Sequence, residues 1–312
     1  MEFIPVCEPT LIGNERKYLL DAFDSGWISS AGEYVSKVES KFSSYCNREH
    51  GITVSNGTVA LHIALKALGI EKGDEVIVPN FNGVYGAFAV SYQGAIPVFV
   101  DAESDTWNID VSKIEEKITS RTKAIMAVHI YGHPCDMDAI IEIAEKHKLK
   151  IIEDAAEVHG GEYKNKKCGS FGDISIFSFF ANKLITSGEG GIVLTDDKEL
   201  ADKCRYYKNL CFSIDGPRNF IHDDIGFNYR LSNISSAIVL AQIEKLDDYV
   251  DMRINNNKKY RKYLNGVEGL TFQPEKEWGK NVYWMNCVVV DSNKFGIDRD
   301  TLMKKLLDKN IQ

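Results

Sequence analysis

Between Gly51 and Asp196 short apolar runs alternate with amphipathic stretches. Ile52-Thr53-Val54, Glu75–Val78, Pro97–Val100, Ala124–His129 and Lys150–Glu153 are too short for helices and read as strands. Val59–Leu68, Val84–Tyr92, Val111–Ile118 and Met137–Lys146, which separate them, read as helices. This alternation predicts an α/β fold with a mostly parallel sheet covered by helices on both faces. Two further strands are expected at Ile174–Phe179 and Gly191–Leu194, on either side of a glycine-rich loop.

The flanking regions are more helical. A helix is expected over Asn14–Phe23, then a loop Ser25–Gly32 rich in glycine and hydroxyls, then a helix Tyr34–Tyr45 with Val35, Val38 and Phe42 on one face. Beyond the sheet come a helix Lys198–Leu210, a loop His222–Asn233, a long helix Ile234–Tyr249 and another from Asp251 to Leu264. A strand Tyr283–Val290 and an amphipathic helix Arg299–Asp308 follow. The composition shifts near 230–250, which suggests an arm over residues 1–13, a large domain over 14–233 and a smaller C-terminal α/β domain over 234–312. The last is expected to be incomplete, because the chain stops after a helix where a further strand should come.

Composition narrows the function classes. With 312 residues, 44% hydrophobic and 26% charged, the chain has the balance of a globular protein large enough for two domains. A formal net charge of -8 argues against a nucleic-acid partner, which would call for a basic face. No apolar run reaches the length of a bilayer crossing, and MEFIPVCEPT is not a signal peptide, so no membrane partner is expected. The seven cysteines are an odd number without a CxxC pair, which points to reduced thiols in a cytoplasmic protein.

In an open parallel sheet, ligands gather at the carboxyl ends of the strands. Four features fall there. Ser55-Asn56-Gly57-Thr58 joins a strand to a helix, so its amides and the Thr58 hydroxyl can hold a phosphate, although an ordinary helix cap has the same residues. Asp154 ends a strand, His159 sits in a turn before Gly160-Gly161, and Lys183 follows another strand. Alone, each has a bland reading as a cap, a structural histidine or a solvated lysine. Together, an anion site, a strand-end acid and a strand-end amine meet the needs of pyridoxal phosphate. Other chemistries fare worse. Gly132 and Pro134 break any helix that would align His129 with His133, so no metal is expected. No GxGxxG opens the first strand–helix unit, and Gly188-Glu189-Gly190-Gly191 lacks the Walker lysine spacing.

A set of motifs runs in order along the chain: IPVCEP, GWISSAG, SNGTVALHIAL, GDEVIVP, AIPVFVD, VHIYGHPCDMD, EDAAEVHG, GSFGDISIFSF, NK, GEGGIVLTD and GFNYRLSN. In these it resembles the sugar aminotransferases of the DegT/DnrJ/EryC1/StrS group, from Phe3 to the end. The resemblance implies a type I, aspartate-aminotransferase-like fold for pyridoxal-5'-phosphate enzymes and makes Lys183 the lysine bonded to the cofactor. It implies that Asp154 pairs with the ring nitrogen and that Glu157 lies near the ring hydroxyl. Ser55, Asn56, Gly57, Thr58 and Ser178 would surround the phosphate, completed by Asn228 from a second subunit of a homodimer. His159 would lie near the reacting groups, and Trp27, Ser29 and Arg230 would meet substrate. Likeness around GWISS, YGHPCDMD and EDAAEVHG points to the members that aminate C4 of GDP-4-keto-6-deoxymannose with L-glutamate, by a ping-pong exchange. UDP- or dTDP-4-keto-6-deoxyglucose, 3-amination, and a catalytically silent scaffold stay open as alternatives.

Two departures stand out. Relatives usually place Phe or Trp four residues after the proline of GDEVIVP, to stack on the cofactor ring, and here that residue is Gly83. Phe81 and Tyr85 are the candidates to replace it. Phe180 stands where many relatives have His or Tyr.

Overall fold

The computed structural model describes residues 2–214 and 220–312. A seven-stranded sheet forms its centre, built from β1 (His50–Val54), β2 (Glu75–Pro79), β3 (Ile96–Val100), β4 (Thr122–Val128), β5 (Lys150–Asp154), β6 (Ile174–Ser178) and β7 (Gly191–Thr195). Their order is β1-β7-β6-β5-β4-β2-β3. All neighbours from β3 to β6 pair in parallel, whereas β7 runs antiparallel to both β6 and β1. β2, β6 and β7 are buried along their whole length, which explains why they read as unbroken apolar runs.

Helices α1 (Glu15–Asp24), α2 (Glu33–Tyr45), α3 (Gly57–Ala67), α4 (Tyr85–Tyr92), α5 (Met137–His147) and α6 (Lys198–Lys208) cover the sheet. Strand periodicity sorts the core into layers. Ile152, Ile176 and Val193 pack with α3 and α6, while Phe177, Ile192 and Leu194 point the other way onto α2. Ile125 and Ile151 pack with α5. Full burial of each such side chain contributes roughly 1.5–3 kcal/mol.

Three elements depart from the sequence reading. The long helix expected at Ile234–Tyr249 is broken into α7 (Asn233–Ile243) and α8 (Leu246–Leu264), with Lys245 at φ -115 between them. α7 is buried nearly all round and α8 only along one stripe, so the axis turns where the burial pattern changes. Because α7 and the first turn of α8 share a core with α1 and α2, the large domain's packing continues past residue 234. Val111–Ile118 forms two 3-10 turns rather than an α-helix, with Ile114 buried in the core and Val111 and Ile118 half-buried against it. The strand expected at Tyr283–Val290 shrinks to β9 (Val288–Val290), paired with β8 (Leu270–Phe272). Tyr283 sits at φ 48 with its amide donating to Asn281 Oδ1, a turn that cannot continue a strand. The last helix, α9, spans Arg299–Leu307. Among the described residues no helix is long and apolar enough to cross a membrane, and all seven cysteines are free.

Candidate active site

A cavity of about 660 Å³ opens at the carboxyl ends of β1, β5 and β6, with Gly57, Thr58, Asp154, Glu157, Ser178 and Lys183 on its wall. Asp154 is the last residue of β5 and is 7% exposed. Its Oδ1 accepts from Ala156 N at 3.1 Å, and no cation lies within ion-pair distance among the described residues. Burial pushes this carboxyl up from its usual value, against the pull of Lys183 and His129. A group that costs this much to bury is expected to meet a cationic or donating partner at its second oxygen.

Lys183 lies in the loop between β6 and β7. That loop is folded by its own bonds: Lys183 N donates to Phe180 O at 2.9 Å, and Ser187 N and Thr186 Oγ1 donate to Phe179 O at 3.1 and 2.9 Å. The amine stands 3.7 Å from Glu157 Oε1 and 3.7 Å from the centre of the Trp284 ring. Burial lowers its pKa, opposed by Glu157 and Asp154. Glu157 Oε2 accepts from Tyr131 N at 2.7 Å, and burial raises the carboxyl to about 7 despite Lys183.

The opposite end of the cavity is the N-terminus of α3. Asn56 caps it, accepting from Val59 N at 3.0 Å, while the amides of Gly57 and Thr58 lie in the first turn, where an α-helix offers no internal acceptor. A Cβ at Gly57 would stand 2.8 Å from Ser178 Cβ, and one at Gly191 would stand 2.7 Å from the Asn56 carbonyl carbon. Two glycines thus let the helix end settle on the β6–β7 hairpin. The open amides, the helix dipole and the Ser178 hydroxyl suit a phosphate.

The residues present fit pyridoxal phosphate: an anion cradle, an underpartnered buried acid and a buried amine face one cavity. Several expected residues lie elsewhere. Ser55 is off the wall, its amide donating to Tyr229 O at 2.8 Å. His159 is off it too, near Lys183 but on its core side. It is fully buried against Phe42, Phe177 and Phe179, because the turn after Glu157 carries it back into the core under α2. Neither ring nitrogen has a hydrogen-bond partner, and burial brings the imidazole down to about 3. Trp27 and Ser29 sit on an exposed loop whose carbonyls accept from Asn233, and Arg230 donates to Asn228 at the surface. None of these four lines this cavity.

The structure adds groups that sequence reasoning missed: Trp284, Tyr92 and Tyr229 all reach the wall. Tyr85 is there as well, lying across Gly83, whereas Phe81 turns away to meet Trp107 and Tyr131 edge-on. Behind the site, His129, Glu153 and Cys168 cluster without access to solvent. His129 Nδ1 accepts from Cys135 N, so Nε2 donates to Glu153, whose oxygens also accept from Gly169 N and Phe171 N. That leaves the imidazole no lone pair for a metal.

The geometry has counterparts. GDP-perosamine synthase of Escherichia coli O157:H7 is 46% identical over 312 residues, which are 100% of this chain and 84% of that protein. GDP-perosamine synthase of Caulobacter vibrioides is 45% identical over 97% of this chain and 81% of its own length. Among solved structures, DesI in the presence of its TDP-sugar product superposes with TM-score 0.92 at 29% identity, over 100% of this chain and 79% of that one. GDP-4-keto-6-deoxymannose-3-dehydratase with a trapped PLP-glutamate geminal diamine also gives 0.92, at 27% identity over 99% and 84%. Residues 9–312 match the model of the DegT/DnrJ/EryC1/StrS aminotransferase family. The chain belongs to that family and is a pyridoxal-phosphate-dependent aminotransferase.

Proposed function

We propose that this aminotransferase moves the amino group of L-glutamate to the C4 ketone of a GDP-linked 4-keto-6-deoxy sugar, as a GDP-perosamine synthase would. One observation carries the substrate class: three relatives of that name share 43–46% identity with nearly the whole chain. Bound pyridoxal phosphate supplies an aldehyde that bonds to amines and a ring that accepts electrons. The Gly57 and Thr58 amides with Ser178 Oγ bind its phosphate. Asp154 holds a proton at the ring nitrogen through the oxygen that Ala156 leaves open. Lys183 Nζ would hold and move the proton, taking one from Cα of glutamate in the first half of the exchange and giving one to C4 of the sugar in the second. Trp284 covers the amine on one side.

We further propose a homodimer in which Asn228 and Arg230 reach a partner's cavity, with Trp27 and Ser29 beside the sugar nucleotide. Trp27, Ser29 and Asn228 are exposed, Arg230 is half-buried, and none of the four lines the chain's own cavity, which supports this, as do the exposed side chains of Phe88, Tyr92 and Phe99. Seven free cysteines support a cytoplasmic site of action.

The test is mass spectrometry of products formed from glutamate with GDP-, UDP- and dTDP-linked 4-keto-6-deoxy sugars. The GDP-mannose-derived ketone is expected to gain the amine at C4. Preferential amination of a dTDP-linked sugar, the product class in the DesI structure, would replace this reading.

A further inference from the structure

Glu157 is placed for more than anchoring. Its side chain and that of Lys183 are 13% and 11% exposed, and Oε1 faces Nζ at 3.7 Å. The other oxygen is pinned by the amide of Tyr131, itself held at φ 56 in the turn after β4. Trp284 closes over the amine from another side, its indole N–H donating to Asn182 O at 2.8 Å. A glutamine could accept the Tyr131 amide equally well, but it could not take up a proton.

We propose that Glu157 is the proton partner of Lys183, exchanging one proton between the two side chains so that the amine becomes neutral without exchange with bulk water. The step is Lys–NH3+ with Glu–COO− going to Lys–NH2 with Glu–COOH. One N–H bond breaks, one O–H bond forms, and no electrons or other reactants enter. It rests on the reading of Lys183 as the reacting amine.

Burial works against the charged pair, while the mutual attraction of the two side chains works for it. Burial is the main cause raising the Glu157 carboxyl and the main cause lowering the Lys183 amine. Asp154 faces both and pushes Glu157 further towards its protonated form while supporting the ammonium. Tyr131 and Cys287 also face Glu157, and burial raises each to about 12, so they stay neutral. His159, on the core side of Lys183, is neutral as well. The proton therefore has two seats and one further charge, Asp154, beside them.

Two coupled seats leave a signature. As pH rises, the neutral amine of an isolated lysine increases about tenfold per unit until it saturates, whereas a lysine sharing a proton with an acid shows a rise, a flat shelf and a second rise. The experiment is acylation of the full-length protein, freed of cofactor, by acetic anhydride between pH 5 and 10, with modification of residue 183 read by peptide mass spectrometry. Wild type is expected to show the shelf, Glu157→Gln a single rise, and Glu157→Asp the shelf again. A single rise in wild type, or a shelf that persists in Glu157→Gln, overturns the proposal. Should Glu157→Gln fail to fold, wild type and Glu157→Asp decide: a shelf in both supports it, and its absence from wild type removes it. Borohydride trapping of the cofactor on a residue other than Lys183 would instead sink the reading of the site, whatever the shape of the profile.

Discussion

Tyr85 lies across Gly83 so closely that a Cβ at residue 83 would stand 2.6 Å from its ring. The space over Gly83, where the resemblance implies a stacking aromatic, is taken from two residues further on by a side chain that reaches the same cavity as Asp154 and Lys183. Ala156, next to the Asp154 strand end, lies on that cavity's wall too.

Tyr85→Ala is expected to raise the dissociation constant for pyridoxal phosphate about fivefold, the equivalent of about 1 kcal/mol for one aromatic contact. Gly83→Ala should act in the same direction by displacing the ring. Titration by cofactor absorbance checks both. Unchanged affinity in the two variants would mean that Tyr85 is not the ring platform.

Lys183→Ala should lose the visible absorbance of bound cofactor and at least about 10^3-fold in turnover, since both the bonding amine and the proton carrier are removed. Purified wild type should be yellow and bleach with glutamate. Sustained multiple turnovers by the variant would take the lysine out of its assigned role.

Glu157 gives a stability prediction with a definite sign. Its folded pKa is raised from 4.5 to about 7, so the stabilisation is fully present below about 4.5 and is lost as pH rises through 7. Cofactor-free wild type should therefore gain stability relative to Glu157→Gln on going from pH 8 to pH 5, by on the order of 1–3 kcal/mol. Denaturant melts at the two pH values measure it. A difference that does not vary with pH would show that the carboxyl titrates normally.

His159 runs the other way. Its imidazole is lowered from 6.5 to about 3 by burial, so its neutral form opposes acid and stability drops as pH falls below 6.5. His159→Phe should lose that acid sensitivity while keeping turnover within about threefold, because the ring touches aromatics rather than the cavity. A hundredfold loss of turnover in a folded variant would return His159 to the chemistry.

Shared sites predict complementation. Mixing inactive Lys183→Ala with inactive Asn228→Ala subunits should restore activity to roughly a quarter of wild type, since half of randomly paired dimers carry one intact site. No recovery after verified subunit exchange would place Asn228 outside the partner's site.

Legibility in the sequence followed the range of the interactions involved. Strands β2, β6 and β7 were readable because burial on both faces leaves a short apolar run, and Asp154 and Lys183 were readable because a charge just past such a run is conspicuous. The break at Lys245 carries no glycine or proline, and its cause is a change in which faces are covered by α1 and α2. Trp284 comes to Lys183 through a left-handed residue, Tyr283, beyond the sheet, and only the folded chain sets that distance. His159 shows the converse: its motif marks a position, but three aromatic neighbours decide where the ring points.

The antiparallel course of β7 has a consequence for how the enzyme can vary. Gly191, the first residue of β7, meets Asn56 at the phosphate cradle, and the loop that ends there carries Lys183. Insertions between Ser187 and Glu189 would lengthen the tip of this hairpin without shifting the pairing of β7, although Glu189 itself lies on the cavity wall. A single residue inserted within β7 would flip its side chains to the opposite faces and pull Gly191 off Asn56, misplacing cradle and lysine together. Within this hairpin, length can vary only in the loop, because the strand that follows fixes cradle and lysine at once.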